Sequence, residues 1–244
     1  LTKIAIVGDS HTAIIASKLN KMRNFEIISL NNQACYFLPN FHLVFQGTNQ
    51  ENDDCNNEIQ QERFKKLQSL ENHIILIGGR LPLYLTGKPF DNLEGGKEGD
   101  EFRKIKLKDE RANFFDSITE PILKLAEKNK VLILYPIPEL GWDIKKKILN
   151  KTSKNVLNIK KDFSKEFPII STSYNVFVDR NKQSFEILDS IKHKNILRVY
   201  PHKFFCDNKI KKRCVANDKK NLYYFDTDHL SEHGAEIVVN MIFS

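Results

Sequence analysis

No apolar run in the 244-residue sequence approaches the roughly 20 residues needed to cross a bilayer; the longest, residues 74–77 and 131–135, have the length of strands. There is no CxxC spacing, no GxGxxG and no GxxxxGK[ST], so a zinc ribbon, a dinucleotide fold and a P-loop are all without support, and Gly78-Gly79-Arg80 supplies no phosphate loop. Internal repeats and low-complexity linkers are absent too. Basic side chains outnumber acidic ones by 38 to 31, giving a net charge of +7, but they lie in short separate groups: Lys145 to Lys147, Lys160 and Lys161, residues 209–213, Lys219 and Lys220. None is long enough, or interleaved with aromatics, to form a nucleic-acid surface, so no nucleic-acid partner is expected. What is present is ordinary for a globular chain, with 41% hydrophobic and 28% charged residues, and the length suits a single domain over 1–244. The start at Leu1 reads as a piece of a longer chain.

The four cysteines, Cys35, Cys55, Cys206 and Cys214, fall as two sequence-local pairs. Two disulfides, and hence an oxidising compartment, fit this pattern better than a metal site; four unrelated buried thiols are the alternative.

Five short β-rich runs recur, at residues 3–7, 26–30, 73–77, 130–135 and 195–200, with helical patterns between them. Such alternation predicts a parallel sheet with helices on both faces. The strongest stripe is Phe114, Phe115, Ile118, Ile122, Leu123, Leu125 and Ala126, with Pro121 inside it marking either a kink or the start of a second helix. Residues 176–191 and 235–242 carry further helical patterns. Two long connections, residues 31–57 and 81–108, read as functional or mobile loops.

The first run stops at Gly8-Asp9-Ser10-His11, where a helix begins. A hydroxyl there lies at the carboxyl edge of a parallel strand and at a helix N-terminus, which favours the negative charge developing on an attacked acyl carbonyl. Taken alone the tetrapeptide is also a turn with Asp9 or Ser10 as a helix cap. Near the other end, Asp226-Thr227-Asp228-His229-Leu230-Ser231 places one Asp three residues before a His, a spacing that lets the carboxylate hold imidazole Nδ1 while Nε2 faces a serine.

Together these two motifs resemble the SGNH/GDSL hydrolase superfamily, and more narrowly the SGNH domain at the carboxyl end of acyltransferase-3 membrane proteins, which O-acetylate bacterial surface polysaccharides. Phe114-Phe115-Asp116, the run from Pro136 to Gly141, and Cys206 followed by Cys214 agree with it. The resemblance implies a flavodoxin-like three-layer α/β/α fold with a five-stranded parallel sheet. It implies Ser10 as nucleophile, His229 as general base and then acid, and Asp226 as the orienting carboxylate; no cofactor and no metal are expected. Asp228, one residue before His229, is expected to point elsewhere, and Asp9 to brace the turn. The chain departs from the superfamily at its oxyanion donors: no Gly follows the second run before Gly47, and the third-block Gly-x-Asn is Gly78-Gly79-Arg80. Gly79, Arg80 and His11 are therefore the substitute oxyanion or substrate contacts. The implied partners are a polysaccharide acceptor and a separate transmembrane acyltransferase domain as acetyl donor, with the domain periplasmic or otherwise extracytoplasmic and tethered to the inner membrane.

Two other readings stand beside an O-acetyltransferase: an esterase or polysaccharide deacetylase using water as acceptor, and a carbohydrate-binding module without catalysis. His229 and His233, four residues apart, lack the Glu and third ligand of a zinc motif. Trp142, beyond the fourth run, is a candidate for sugar stacking or for packing.

Overall fold

The computed structural model describes residues 1–45, 50–99, 103–153 and 166–244; Gly47, Lys160 and Lys161 lie outside them. The chain runs through β1 (Thr2–Gly8), α1 (Ser10–Lys21), β2 (Phe25–Asn31), β3 (Phe41–Phe45), a 3-10 turn (Asp53–Cys55), α2 (Asn57–Gln68), β4 (Ile74–Ile77), α3 (Leu81–Thr86) and β5 (Arg103–Leu107). It continues through α4 (Phe114–Ala126), β6 (Lys130–Leu134), α5 (Ile144–Ser153), β7 (Ser171–Ser173), α6 (Tyr174–Ser190), β8 (Ile196–Val199), α7 (His202–Phe205), β9 (Arg213–Val215) and α8 (Glu232–Phe243).

All five expected strands pair in one parallel sheet, in the order β2-β1-β4-β6-β8. This is the flavodoxin-like order, in which ligands bind beyond the carboxyl ends of the strands. Because side chains alternate along a strand, the sheet builds two cores. Ile4, Ile6, Leu76, Leu132 and Leu134 pack with Ile15 and Leu19 of α1, Ile144 of α5, and Val238 and Val239 of α8. Ala5, Val7, Ile75, Ile77, Val131 and Ile133 pack with Leu67 of α2, Ile118, Ile122 and Leu125 of α4, and Ile187 and Leu188 of α6. Burying each large aliphatic side chain contributes about 1.5–3 kcal/mol, which is why the strands read as unbroken apolar runs.

Three features differ from the sequence reading. Pro121 lies buried within one continuous α4 and starts no second helix. The two long connections carry structure: β3, from the first, pairs antiparallel with β5, from the second, with Phe41 opposite Leu107 and Val44 opposite Lys104. The third difference is α2, whose buried face is Gln60, Arg63 and Leu67. Its polar groups face inward because they serve backbone: Gln60 accepts from Leu38 N and donates to Tyr36 O, while Arg63 donates to Leu30 O and Cys35 O.

Both cysteine pairs are disulfides, Cys35–Cys55 and Cys206–Cys214. No helix among the described residues is long and apolar enough to cross a membrane.

Candidate active site

At the carboxyl end of β1, Gly8 lies so close to β4 that a Cβ on it would stand 2.2 Å from the Gly78 carbonyl oxygen. Only glycine permits this approach. The chain then turns through Asp9, the N-cap of α1, whose carboxylate accepts from His11 N at 2.9 Å and Arg80 N at 2.8 Å. Gly79, at φ +133°, leaves room for that carboxylate; a Cβ there would meet it at 2.7–2.8 Å. Asp9 thus caps the helix and ties the β1 turn to the β4 turn. Arg63 holds the same edge from beneath, its Nη2 donating to Gly8 O at 2.9 Å. Its burial lowers the guanidinium pKa to about 10, a shift that the nearby Asp9 and Tyr84 oppose. Ser10 is consequently the first residue of α1, on the open turn where backbone N–H groups have no intrahelical acceptor.

The Asp/His loop reaches Ser10 from the opposite end of the chain. Beyond Cys214, a run of backbone bonds links Tyr223 N to Ala216 O and Ser231 N to Tyr223 O, and Phe225 N to His229 O closes the loop between. Within it, Asp226 Oδ1 accepts from the backbone N–H of Asp228 at 3.0 Å and of His229 at 2.8 Å. His229 Nδ1 donates to Asp226 Oδ2 at 2.9 Å, and its Nε2 lies 2.8 Å from Ser10 Oγ. The structure therefore brings Ser10, His229 and Asp226 into one relay across more than 200 residues of sequence. Hydrogen bonds to Asp226 and Asp228 push the His229 pKa up to about 10, against the opposing effect of burial. Burial works to raise the Asp226 carboxyl, but the bonds from His229 and the two backbone amides outweigh it and hold the group below its ordinary range.

Of the other three candidates, the Arg80 and His11 side chains are turned inward. Arg80, expected to face an oxyanion, directs its guanidinium to three carboxylates: Glu98, Glu139 at 2.5 Å and Asp228 at 2.9 Å. Burial disfavours its charge, but these three neighbours overcome that and hold Arg80 firmly protonated. Its backbone N–H is occupied by Asp9. His11 is 2% exposed and donates from Nε2 to Asp228 Oδ2 at 2.9 Å, so it offers no open surface to substrate. Gly79 serves the turn through its conformation and its lack of Cβ. Asp228 was expected to point away from His229; it does turn inward to His11 and Arg80, but its Oδ1 lies 3.3 Å from His229 Nδ1, so it also faces the ring. Burial raises its pKa, and bonds from His11 and His229 together with the Arg80 charge lower it far more.

Glu139 and Arg180 escaped the sequence reading. Glu139 is fully buried, bound by Arg80 and by Arg180 Nε at 3.0 Å. Burial acts against its charge, and the two guanidiniums outweigh it. The available signal was its place in the Pro136 to Gly141 run, just past a strand's carboxyl end.

His11, Asp228 and His229 bring ligand-type atoms within 4.8 Å of one another. Those atoms are bonded to each other, to Asp226 and to the Arg80 cation, an arrangement that suits proton handling. His233 stacks against Tyr223 instead of joining His229. Trp142 is a packing residue: the backbone of Gly96 lies against its ring and the Lys147 ammonium sits 3.2 Å from the ring centroid.

The family model described as the SGNH domain fused to AT3 domains matches residues 2–243. The chain belongs to that SGNH family. Among curated proteins none matches the sequence significantly. The SGNH domain is also similar to the crystal structure of a member of the lipolytic protein G-D-S-L family from Veillonella parvula, with 11% identity and a TM-score of 0.44, covering 100% of this chain and 97% of that one.

Proposed function

We propose that this SGNH domain is a serine-dependent O-acyltransferase that passes an acetyl group through Ser10 to hydroxyls of a bacterial cell-surface polysaccharide. The observation that carries the reading is the Ser10–His229–Asp226 relay at the carboxyl edge of β1, with Ser10 on the open turn of α1. His229 Nε2 takes the Ser10 proton as Oγ bonds to the acetyl carbon, and returns it to the donor's leaving group as that bond breaks. The acceptor hydroxyl then gives its proton to His229 and attacks the acyl-enzyme, and Ser10 Oγ recovers the proton on leaving. Asp226 holds the imidazole in the tautomer both steps need. Fusion to AT3 domains in this family supports a membrane-embedded partner as acetyl donor, and two disulfides support an extracytoplasmic location, periplasmic with an inner-membrane tether.

Hydrolysis is the second reading, and one feature favours it: the His229 and Asp226 side chains are 36% and 37% exposed, so water has access to the base. The test is incubation with an acetyl ester, with and without oligosaccharide. Transfer predicts acetylated sugar and faster ester consumption when acceptor is present. Acetate release indifferent to every acceptor, with no acetylated product, would leave an esterase. Ser10→Ala is expected to lower turnover by about 10⁶-fold. A parent protein with no turnover on any ester, yet binding glycan, would instead be a carbohydrate-binding module.

A further inference from the structure

We infer that His11 and Asp228 form a second, buried pair alongside Ser10 and His229, a positioning device that locks α1 to the Asp/His loop and holds a second carboxylate on the base. The inference rests on the triad reading above. Its first ground is register. His11 follows Ser10 and Asp228 precedes His229, so the two motifs meet through adjacent residues twice: Ser10 with His229 at 2.8 Å, His11 with Asp228 at 2.9 Å. The two pairs differ in exposure, since His11 and Asp228 are 2% and 5% exposed.

The second ground is the fate of the two Asp228 oxygens. Oδ2 takes His11 Nε2–H and, at 2.9 Å, Arg80 Nη1; Oδ1 accepts from Thr227 Oγ1 at 3.0 Å and lies 3.3 Å from His229 Nδ1. A buried carboxylate loses hydration and persists only where donors replace it. Here every donor comes from an element that frames the site, and Arg80 is in turn held by Glu98 and Glu139. The His11 and His229 rings also meet edge to face, with centroids 5.0 Å apart, so rotation of either ring disturbs the other.

The division of labour follows from exposure. Asp226 is partly exposed and its charge is screened by water, but it takes two backbone N–H groups that fix its direction. Asp228 is buried, so its charge acts on the imidazolium with less screening. The groups facing His229 are Asp226 and Asp228 from its own loop and Ser10 and His11 from α1, with Arg80 from the β4–α3 turn acting on it through Asp228. Asp226 sets the tautomer; Asp228 strengthens the hold on the charged base and, through His11, resists separation of the loop from the nucleophile helix.

The test uses the whole chain with Asp228→Asn, His11→Ala, His11→Gln and the double variant Asp228→Asn/His11→Ala. Nitrogen NMR of the His229 ring, recorded in a Ser10→Ala background, reads its titration without turnover. Asp228→Asn is expected to lower that midpoint by about one pH unit or more and to move the acid limb of kcat/KM for an acetyl ester the same way. His11→Ala is expected to lower kcat about tenfold, His11→Gln, which keeps a donor, to recover most of it, and the His11→Ala loss to vanish in the Asp228→Asn background, as coupled residues behave. An unmoved His229 midpoint, additive single effects, or no rescue by Gln would overturn the inference. Turnover surviving Ser10→Ala would sink the nucleophile assignment while leaving the NMR coupling readable, so the two failures are distinct.

Discussion

His229 carries two opposed demands. In the proposed mechanism only the neutral imidazole can accept the Ser10 proton, whereas the folded protein favours the charged ring, whose pKa is pushed up to about 10 from an ordinary 6.5 by Asp226 and Asp228. The sign follows directly. Stabilisation from the charged ring is complete below about pH 6.5 and is lost as pH rises through about 10, while the fraction of active base grows over the same interval. Acetyl-ester turnover is therefore expected to climb through pH 7–9 without levelling, as the denaturation midpoint declines. A plateau in kcat/KM already reached by pH 7 would contradict this. Asp226→Asn keeps the shape but loses the preference for the Nδ1–H tautomer, and kcat is expected to fall about 10⁴-fold. At this scale Asp226 and His229 were legible from spacing, because an Asp three residues before a His has a local geometry, whereas Ser10, equally readable as a helix cap, was picked out by the family resemblance. The inward turn of Arg80 was not legible, since its partners Glu98, Glu139 and Asp228 come from three separate segments.

The elements act as brackets for these side chains, and the two disulfides divide the task. Cys35–Cys55, separated by 20 residues, closes the segment that Gln60 and Arg63 of α2 hold by its backbone. Cys206–Cys214, separated by 8, joins α7 to β9, and β9 leads through the Ala216–Tyr223–Ser231 backbone bonds to the Asp/His loop. Loop-closure entropy gives about 3 kcal/mol for the first and about 2.5 kcal/mol for the second. Replacing Cys35 and Cys55 by Ser is thus expected to lower the urea midpoint more, and replacing Cys206 and Cys214 to lower ester turnover more; the reverse order would refute this assignment of roles. Helix α2 shows why elements are missed. Its inward face is polar because it binds backbone, so hydrophobic periodicity finds nothing there. Residues 41–45 and 103–107 lie within the two stretches read as long loops, and the pairing of β3 with β5 joins segments some 60 residues apart.

Across the whole molecule, the net charge of +7 favours encounter with anionic glycans and lipid headgroups. Such attraction is screened over about 8 Å at physiological ionic strength. Raising salt from about 50 mM to about 500 mM is expected to raise KM for an acidic oligosaccharide acceptor several-fold and to leave turnover of a small neutral ester nearly unchanged; equal effects on both would show that charge plays no part in acceptor capture. The sequence by itself determined the parallel α/β sheet, the two cysteine pairs and the Asp226/His229 spacing, because apolar runs, near-neighbour pairs and short motifs are local properties; Ser10 joined them through the family resemblance of the two end motifs. Tertiary structure alone decided what those residues meet. His11 and Asp228 stand 217 positions apart, and Arg80 answers carboxylates from the α3–β5 connection, from beyond the end of β6 and from the Asp/His loop. Burial removes water from these groups, and the partners that replace it are chosen by packing in three dimensions, which no spacing along the chain encodes.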